Sequence, residues 1–152
     1  MNLPQMTVRV DSQLECVPLA ESLVRIFCES AGATPAESRQ MEVCVAEAMN
    51  NCVIHSYKRR PGNTVELSAT KINSELVFEV SDWGTQMDPA ELDRRRAQLL
   101  DNGCKELNEL QEGGRGLSII QFFMDAVEYE SLENKNRLTM TKRVSDSVGA
   151  VK

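Results

Sequence analysis

An α+β fold, with a mixed β-sheet covered by helices on one face, is what this sequence predicts, and three observations carry the prediction. Two segments with helically spaced apolar residues lie in the first third of the chain. Paired strand-like runs follow in two places. Helices and hairpins interleave without strict β-α-β alternation. With 152 residues, 41% of them hydrophobic, the chain can bury one sizeable core and is too short for two ordinary domains, so a single domain over 1–152 is expected.

Met6-Thr7-Val8-Arg9-Val10 alternates apolar and polar side chains, as a half-buried strand does. Pro18 to Ser30 has helical spacing through Leu19, Leu23, Ile26 and Phe27, and Gly32 ends that helix. Thr34-Pro35-Ala36-Glu37 starts the next: Thr34 caps, Pro35 suits the first helical position, and Glu37 stands where a capping-box carboxylate belongs. This helix should reach about Tyr57, before Arg59-Arg60-Pro61-Gly62-Asn63 breaks it. Thr64 to Thr70 and Glu75 to Asp82 read as a hairpin joined by Lys71-Ile72-Asn73-Ser74. The charged stretch from Pro89 to Glu112 has few core residues, with helical character around Glu91 to Leu100. Leu117 to Met124 reads as a short apolar helix, Ala126 to Ser131 and Arg137 to Val144 as the last strands, and the tail from about Ser145 is expected to fray. The second sheet face is left partly open, either to solvent or to a protein.

The net charge of −6 argues against a broad nucleic-acid or anionic-membrane surface and favours proteins and a small anionic ligand as partners. Arg94-Arg95-Arg96 reads as a solvated helix face, with phosphate contact as the alternative. Cys16, Cys28, Cys44, Cys52 and Cys104 are scattered without a C-x-x-C pair, which suggests neither zinc nor a redox motif. With no signal-like start at Met1, they point to a reduced cytoplasmic protein. No apolar run approaches the roughly 20 residues that span a bilayer.

Three short motifs carry chemistry. On the second helix, a pitch of about 100° per residue puts Glu47, Asn51 and His55 on one face. They lie at the edge of an apolar arc made by Met41, Cys44, Val45, Ala48, Met49 and Cys52. Asn51 offers a neutral oxygen to Mg²⁺, and Glu47 can take a proton from a hydroxyl; a solvent-facing pair is the bland alternative for so short a pattern. His55, the only histidine, serves either the ligand or the negative end of the helix. Asp82 ends a strand and can accept a hydrogen bond from an exocyclic amine. Gly84, in the same Asp82-Trp83-Gly84 run, removes a side chain that would stop a base approaching; an ordinary turn is the alternative. Gly113, Gly114, Arg115, Gly116 and Leu117 open an apolar helix whose amides can cradle phosphates, although the run is neither a Walker A loop nor a Rossmann fingerprint.

Taken together, Glu47-Ala48-Met49-Asn50-Asn51 through His55-Ser56-Tyr57, Asp82-Trp83-Gly84 with Asp88-Pro89, and Gly114-Arg115-Gly116-Leu117 resemble the N, G1 and G2 boxes of the GHKL (HATPase_c) superfamily of ATP-binding proteins. The closest likeness is to the bacterial anti-sigma factor serine kinases of the RsbW type, over about Thr34 to Lys142. The resemblance implies the Bergerat ATP-binding fold and a serine/threonine kinase using ATP and Mg²⁺. Glu47 would be the general base, Asn51 the Mg²⁺ ligand and Asp82 the adenine reader, and Gly84 with Gly114 and Gly116 would make backbone contacts. Residues of about 89–113 would form an ATP lid. It further implies a STAS-domain anti-anti-sigma factor as substrate, a sigma factor or similar regulator as the sequestered partner, and a homodimer. A non-catalytic nucleotide-binding module that regulates a partner by binding is the alternative. Two stretches depart from the family pattern: Lys135-Asn136-Arg137 stands where a Gly-Thr pair is usual, and Thr85-Gln86-Met87 where the family has small, proline and aromatic residues.

Overall fold

The computed structural model describes residues 5–101 and 115–145, with side chains at 98–101 and 115 left aside. Five strands form one sheet in the order β1-β2-β3-β5-β4: β1 Gln5–Asp11, β2 Thr64–Ile72, β3 Glu75–Asp82, β4 Ala126–Leu132 and β5 Lys135–Arg143. Every pairing is antiparallel, so the sheet is not mixed. The β2–β3 and β4–β5 hairpins account for two of the four pairings. The expected α+β fold forms, and the strands foreseen from alternation extend one or two residues further at several ends.

Helices α1 (Val17–Ser30), α2 (Pro35–Asn51) and α4 (Arg115–Phe123) supply the buried layer, and α3 (Glu91–Asp101) packs against α4. The capping box read from the sequence is present: Glu37 N donates to Thr34 Oγ1 at 3.1 Å, and Thr34 N donates to Glu37 Oε1 at 2.9 Å. Gly32, at φ 89°, closes α1. Its N–H meets Glu29 O at 3.1 Å, and Ala33 N meets Cys28 O at 2.9 Å, which satisfies two end carbonyls in a Schellman arrangement. The sheet adds a cation to each of two helix ends, where the backbone dipole is negative. Lys71 Nζ donates to Ala31 O and Lys142 Nζ to Phe123 O, both at 2.9 Å.

The core lies between this layer and the inward rows Val65, Leu67, Ala69, Leu76, Phe78, Val80, Leu138 and Met140. The apolar arc of α2 is buried as the spacing predicts. The reading of α1 is corrected: of Leu19, Leu23, Ile26 and Phe27 only Phe27 is buried, and the core face is Val17, Ala20, Val24, Phe27 and Cys28. Leu19 and Ile26 are 60% and 59% exposed. Small residues on the inward side let α1 approach the sheet closely, where Phe27 meets Phe78 edge to face with centroids 5.9 Å apart.

The opposite sheet face carries polar rows. Arg9 Nε pairs with Glu66 at 2.7 Å, Lys135 Nζ lies 3.7 Å from the same carboxylate, and Arg137 pairs with Glu130. Among the described residues no helix is long and apolar enough to cross a membrane.

Candidate nucleotide site

Helix α2 does not keep one pitch to Tyr57. From Cys52 to Ser56 it widens into a π turn, with Tyr57 N donating to Cys52 O at 3.0 Å, and left-handed Lys58 (φ 53°) and Arg59 (φ 61°) then stop it. Such widenings place side chains that a regular helix cannot. His55 therefore swings outward and is exposed at the mouth of a cavity, while Asn51 stays half-buried inside it. The cavity encloses about 310 Å³, at the small end of the range for ligand clefts. Ala48, Val80, Leu117 and Leu138 give it an apolar lining, and Asp82 and Asn136 bring polar atoms to the β3–β5 side.

Asp82 is 5% exposed and held from several sides. Its Oδ1 accepts from Gly84 N at 2.9 Å and from Asn136 Nδ2 at 2.8 Å, and its Oδ2 accepts from Ser56 Oγ at 3.1 Å. The buried Cys52 thiol lies near this carboxylate. Burial, followed by the nearby Asp82 charge, pushes that thiol well above the usual range. The loop after Asp82 is fixed by its own amides. Trp83 N donates to Tyr57 Oη at 2.7 Å, Thr85 N to Ser56 O at 2.9 Å and Met87 N to Tyr129 Oη at 2.9 Å. Gly84 does not line the cavity. A Cβ there would overlap the Ser56 carbonyl, with the carbonyl carbon 2.7 Å away, so this glycine serves the approach of loop to helix. The expectation that it also clears a path for a base is a separate account of the same glycine.

At the other end of the cavity α4 begins against α2. A Cβ on Gly116 would sit 3.0 Å from Glu47 Oε2 and 3.3 Å from Asn51 Nδ2, so the glycine leaves an open cradle between the first turn of α4 and these two side chains. Glu47 is half-buried behind that cradle rather than in the cavity lining. Burial, and then the charge of Glu21, holds its carboxyl above the usual carboxylate range. Gly113 and Gly114 lie outside the described residues, as does the Arg115 side chain. Gly116 and Leu117 line the cavity.

Sequence reasoning missed three contributors. Tyr129 reaches the cavity from β4, Arg95 from α3 and Asn136 from β5. The triple-arginine run is not one solvated face, because Arg95 is half-buried and pairs with Glu91 at 2.8 Å. Asn136 carried a readable signal: in the inward row Asn136, Leu138, Met140, Lys142 of β5 it is the uncharged polar residue, and it is buried.

Residues 10–142 match the model of the family described as the histidine kinase-like ATPase domain. The chain belongs to that family. Membership in this family of ATPase domains implies ATP binding. The histidine kinase-like ATPase domain has curated relatives at low identity. It is 29% identical over 126 residues to an anti-sigma F factor of Caldanaerobacter subterraneus subsp. tengcongensis, covering 82% of this chain and 83% of that protein. It is 28% identical over 101 residues to the serine/threonine-protein kinase BtrW of Bordetella bronchiseptica, covering 66% and 67%. Among solved structures, the RsbU and RsbW domains of a Mycobacterium tuberculosis protein align with TM-score 0.65 at 13% identity, over 93% of this chain and 32% of that one. The SiaB–SiaC complex of Pseudomonas aeruginosa aligns with TM-score 0.67 at 12% identity, over 88% of each chain. At these identities the structural matches establish the fold.

Proposed function

We propose that this chain is an ATP-dependent protein serine/threonine kinase that acts as an anti-sigma regulatory factor in a partner-switching system. Its substrate is a STAS-domain antagonist, its sequestered partner a sigma factor or similar regulator, and its working form a cytoplasmic homodimer. The observation that carries the reading is the cradle at Gly116, where a carboxylate, a neutral amide oxygen and the N-terminus of a helix converge. The curated relatives, an anti-sigma F factor and a serine/threonine kinase, support the choice of class.

Each residue then has a task. Asp82 accepts from the exocyclic amine of adenine at the buried end of the cavity. The first-turn amides of α4, with Gly113, Gly114 and Arg115 before and at its start, bind phosphate oxygens, since helix N-termini attract anions. Asn51 offers its amide oxygen to Mg²⁺, a hard cation that keeps most of its waters and takes further ligands from phosphates. When bound, ATP supplies the phosphoryl group and Mg²⁺ neutralises its charge. Glu47 orients the partner's hydroxyl and takes its proton; a carboxyl raised by burial is better matched to that work near neutral pH than an ordinary one. His55 lies at the mouth, where it borders the ligand.

The test is phosphotransfer from labelled Mg-ATP to a STAS-domain partner, alongside calorimetric titration with Mg-ADP. Glu47→Gln should lose about 10²-fold or more in transfer with ADP binding retained. Asn51→Ala should lose the Mg²⁺-dependent part of binding. A wild type that binds nucleotide and transfers nothing to any such partner leaves the non-catalytic regulatory module as the better reading. No binding at all overturns both.

A further inference from the structure

The register brings three residues into one cross-strand row facing the helices: Asp82 of β3 is directly opposite Asn136 of β5, which is directly opposite Ser131 of β4. Asn136 is 2% exposed, and its amide is engaged on both sides. Both hydrogens of Nδ2 are used, one on Asp82 Oδ1 at 2.8 Å and one on Gly84 O at 3.0 Å, while Oδ1 accepts from Ser131 Oγ at 2.7 Å. The reversed amide would set oxygen against two oxygens, so the network admits one orientation. The consequence for Asp82 is a matter of counting. A carboxylate has about four acceptor positions. Gly84 N and Asn136 Nδ2 fill Oδ1, and Ser56 takes one position on Oδ2. That leaves an acceptor position on Oδ2.

We infer that Asn136 is the positioning residue of the base pocket: it turns the Asp82 carboxylate so that the open acceptor position of Oδ2 faces the cavity, and thereby sets the preference for a 6-aminopurine over a 6-oxopurine. This rests on the reading of the cavity as a nucleotide site. An amine at the purine 6 position donates to Oδ2, whereas a carbonyl there sets oxygen against oxygen. With both its hydrogens committed, Asn136 has no donor left to receive a 6-oxo group. A hydroxyl or a small residue at 136 cannot brace Asp82, Gly84 and Ser131 at once.

The experiment compares binding of ADP and IDP, which differ at the 6 position, by calorimetry on the full chain and its variants. A purely structural role for Asn136 would weaken both nucleotides by the same factor. Positioning predicts that Asn136→Leu lowers the ADP-over-IDP affinity ratio by about tenfold, the loss of one well-aligned hydrogen bond to a charged group. Ser131→Ala removes only the hydroxyl that orients the amide and carries the test if Asn136→Leu does not fold; its ratio should fall about threefold. An unchanged ratio in a folded variant that still binds ADP overturns the role of Asn136 and leaves the nucleotide site standing. A wild type that binds neither nucleotide overturns the site and the inference together.

Discussion

Replacing Gly84 by alanine separates two accounts of that glycine. Its φ lies outside the left-handed region, so an alanine backbone is not strained there, and the whole cost comes from what the methyl meets. The new Cβ would lie 2.7 Å from the Ser56 carbonyl carbon and 3.0 Å from Ser56 Cβ. Both partners belong to the π turn, and the carbonyl cannot swing aside as a long side chain would. The loop must retreat by about 1 Å to bring the methyl to ordinary van der Waals contact with the Ser56 carbonyl oxygen, which stretches the 2.9 Å bond from Thr85 N to Ser56 O and the 3.0 Å bond from Asn136 to Gly84 O. Overpacking of this kind costs about 1–3 kcal/mol, and a weakened hydrogen bond adds about 1. We expect about 3 kcal/mol, or a drop in Tm of about 6–12 °C for a domain of this size, in thermal melts followed by circular dichroism. An unchanged Tm would refute the packing account. If ADP affinity were lost at the same time, the glycine would be clearing space for the ligand instead.

Glu47 should make stability depend on pH with a definite sign. Its folded-state carboxyl titrates above the unfolded one, so the stability it contributes is complete below about pH 4.3 and is lost as pH rises through the raised value. Glu47→Gln, neutral throughout, should therefore be more resistant to urea than wild type at pH 7.5, with the gap closing toward pH 4.5; a variant weaker than wild type at pH 7.5 contradicts this. The buried thiols should be inert. Cys28 and Cys44 are pushed up to about 12, chiefly by burial, so at pH 8 only about one such thiol in ten thousand is ionised. Among the described cysteines iodoacetamide on the native protein should label half-buried Cys16 first, as read by mass spectrometry, and equal labelling of Cys44 would show that α2 opens readily.

What was legible in the sequence follows from how local each signal is. The capping box at Thr34 spans four residues and depends on nothing beyond them, so its chemistry could be read directly. The apolar arc of α2 was legible because its apolar residues concentrate on one side, with Val43 the large exception. On α1 both sides carry apolar residues, with Leu19 and Ile26 on nearly the far side from Ala20, Val24 and Cys28. Periodicity identifies the helix there without saying which side faces the sheet, and the smaller side won because it packs closer. The site divides in the same way. Asp82, Asn51 and Gly116 belong to short motifs, whereas Asn136 and Tyr129 enter through strand register. That is a property of pairing between distant segments. The π turn was also hidden, since it answers to Ser56 receiving Thr85 from a loop nearly thirty residues away.

Helix α4 is tied to the sheet at its C-terminal end. Behind Phe123, Lys142 grips the last carbonyl, and Asp125 is bonded to β5 through its own N–H to Thr141 O and its carboxylate to Arg143 N. At the other end Gly116 abuts Glu47 and Asn51. A nine-residue helix is about 13 Å long, so a ligand that lifts the front by about 1 Å tilts the rod by about 4° around a fulcrum in β5. Gln121 Nε2, bonded to Leu92 O at 2.8 Å, ties α3 to the C-terminal half of that rod. α4 thus joins the cradle at Gly116 to α3 and to β5 as a single rod.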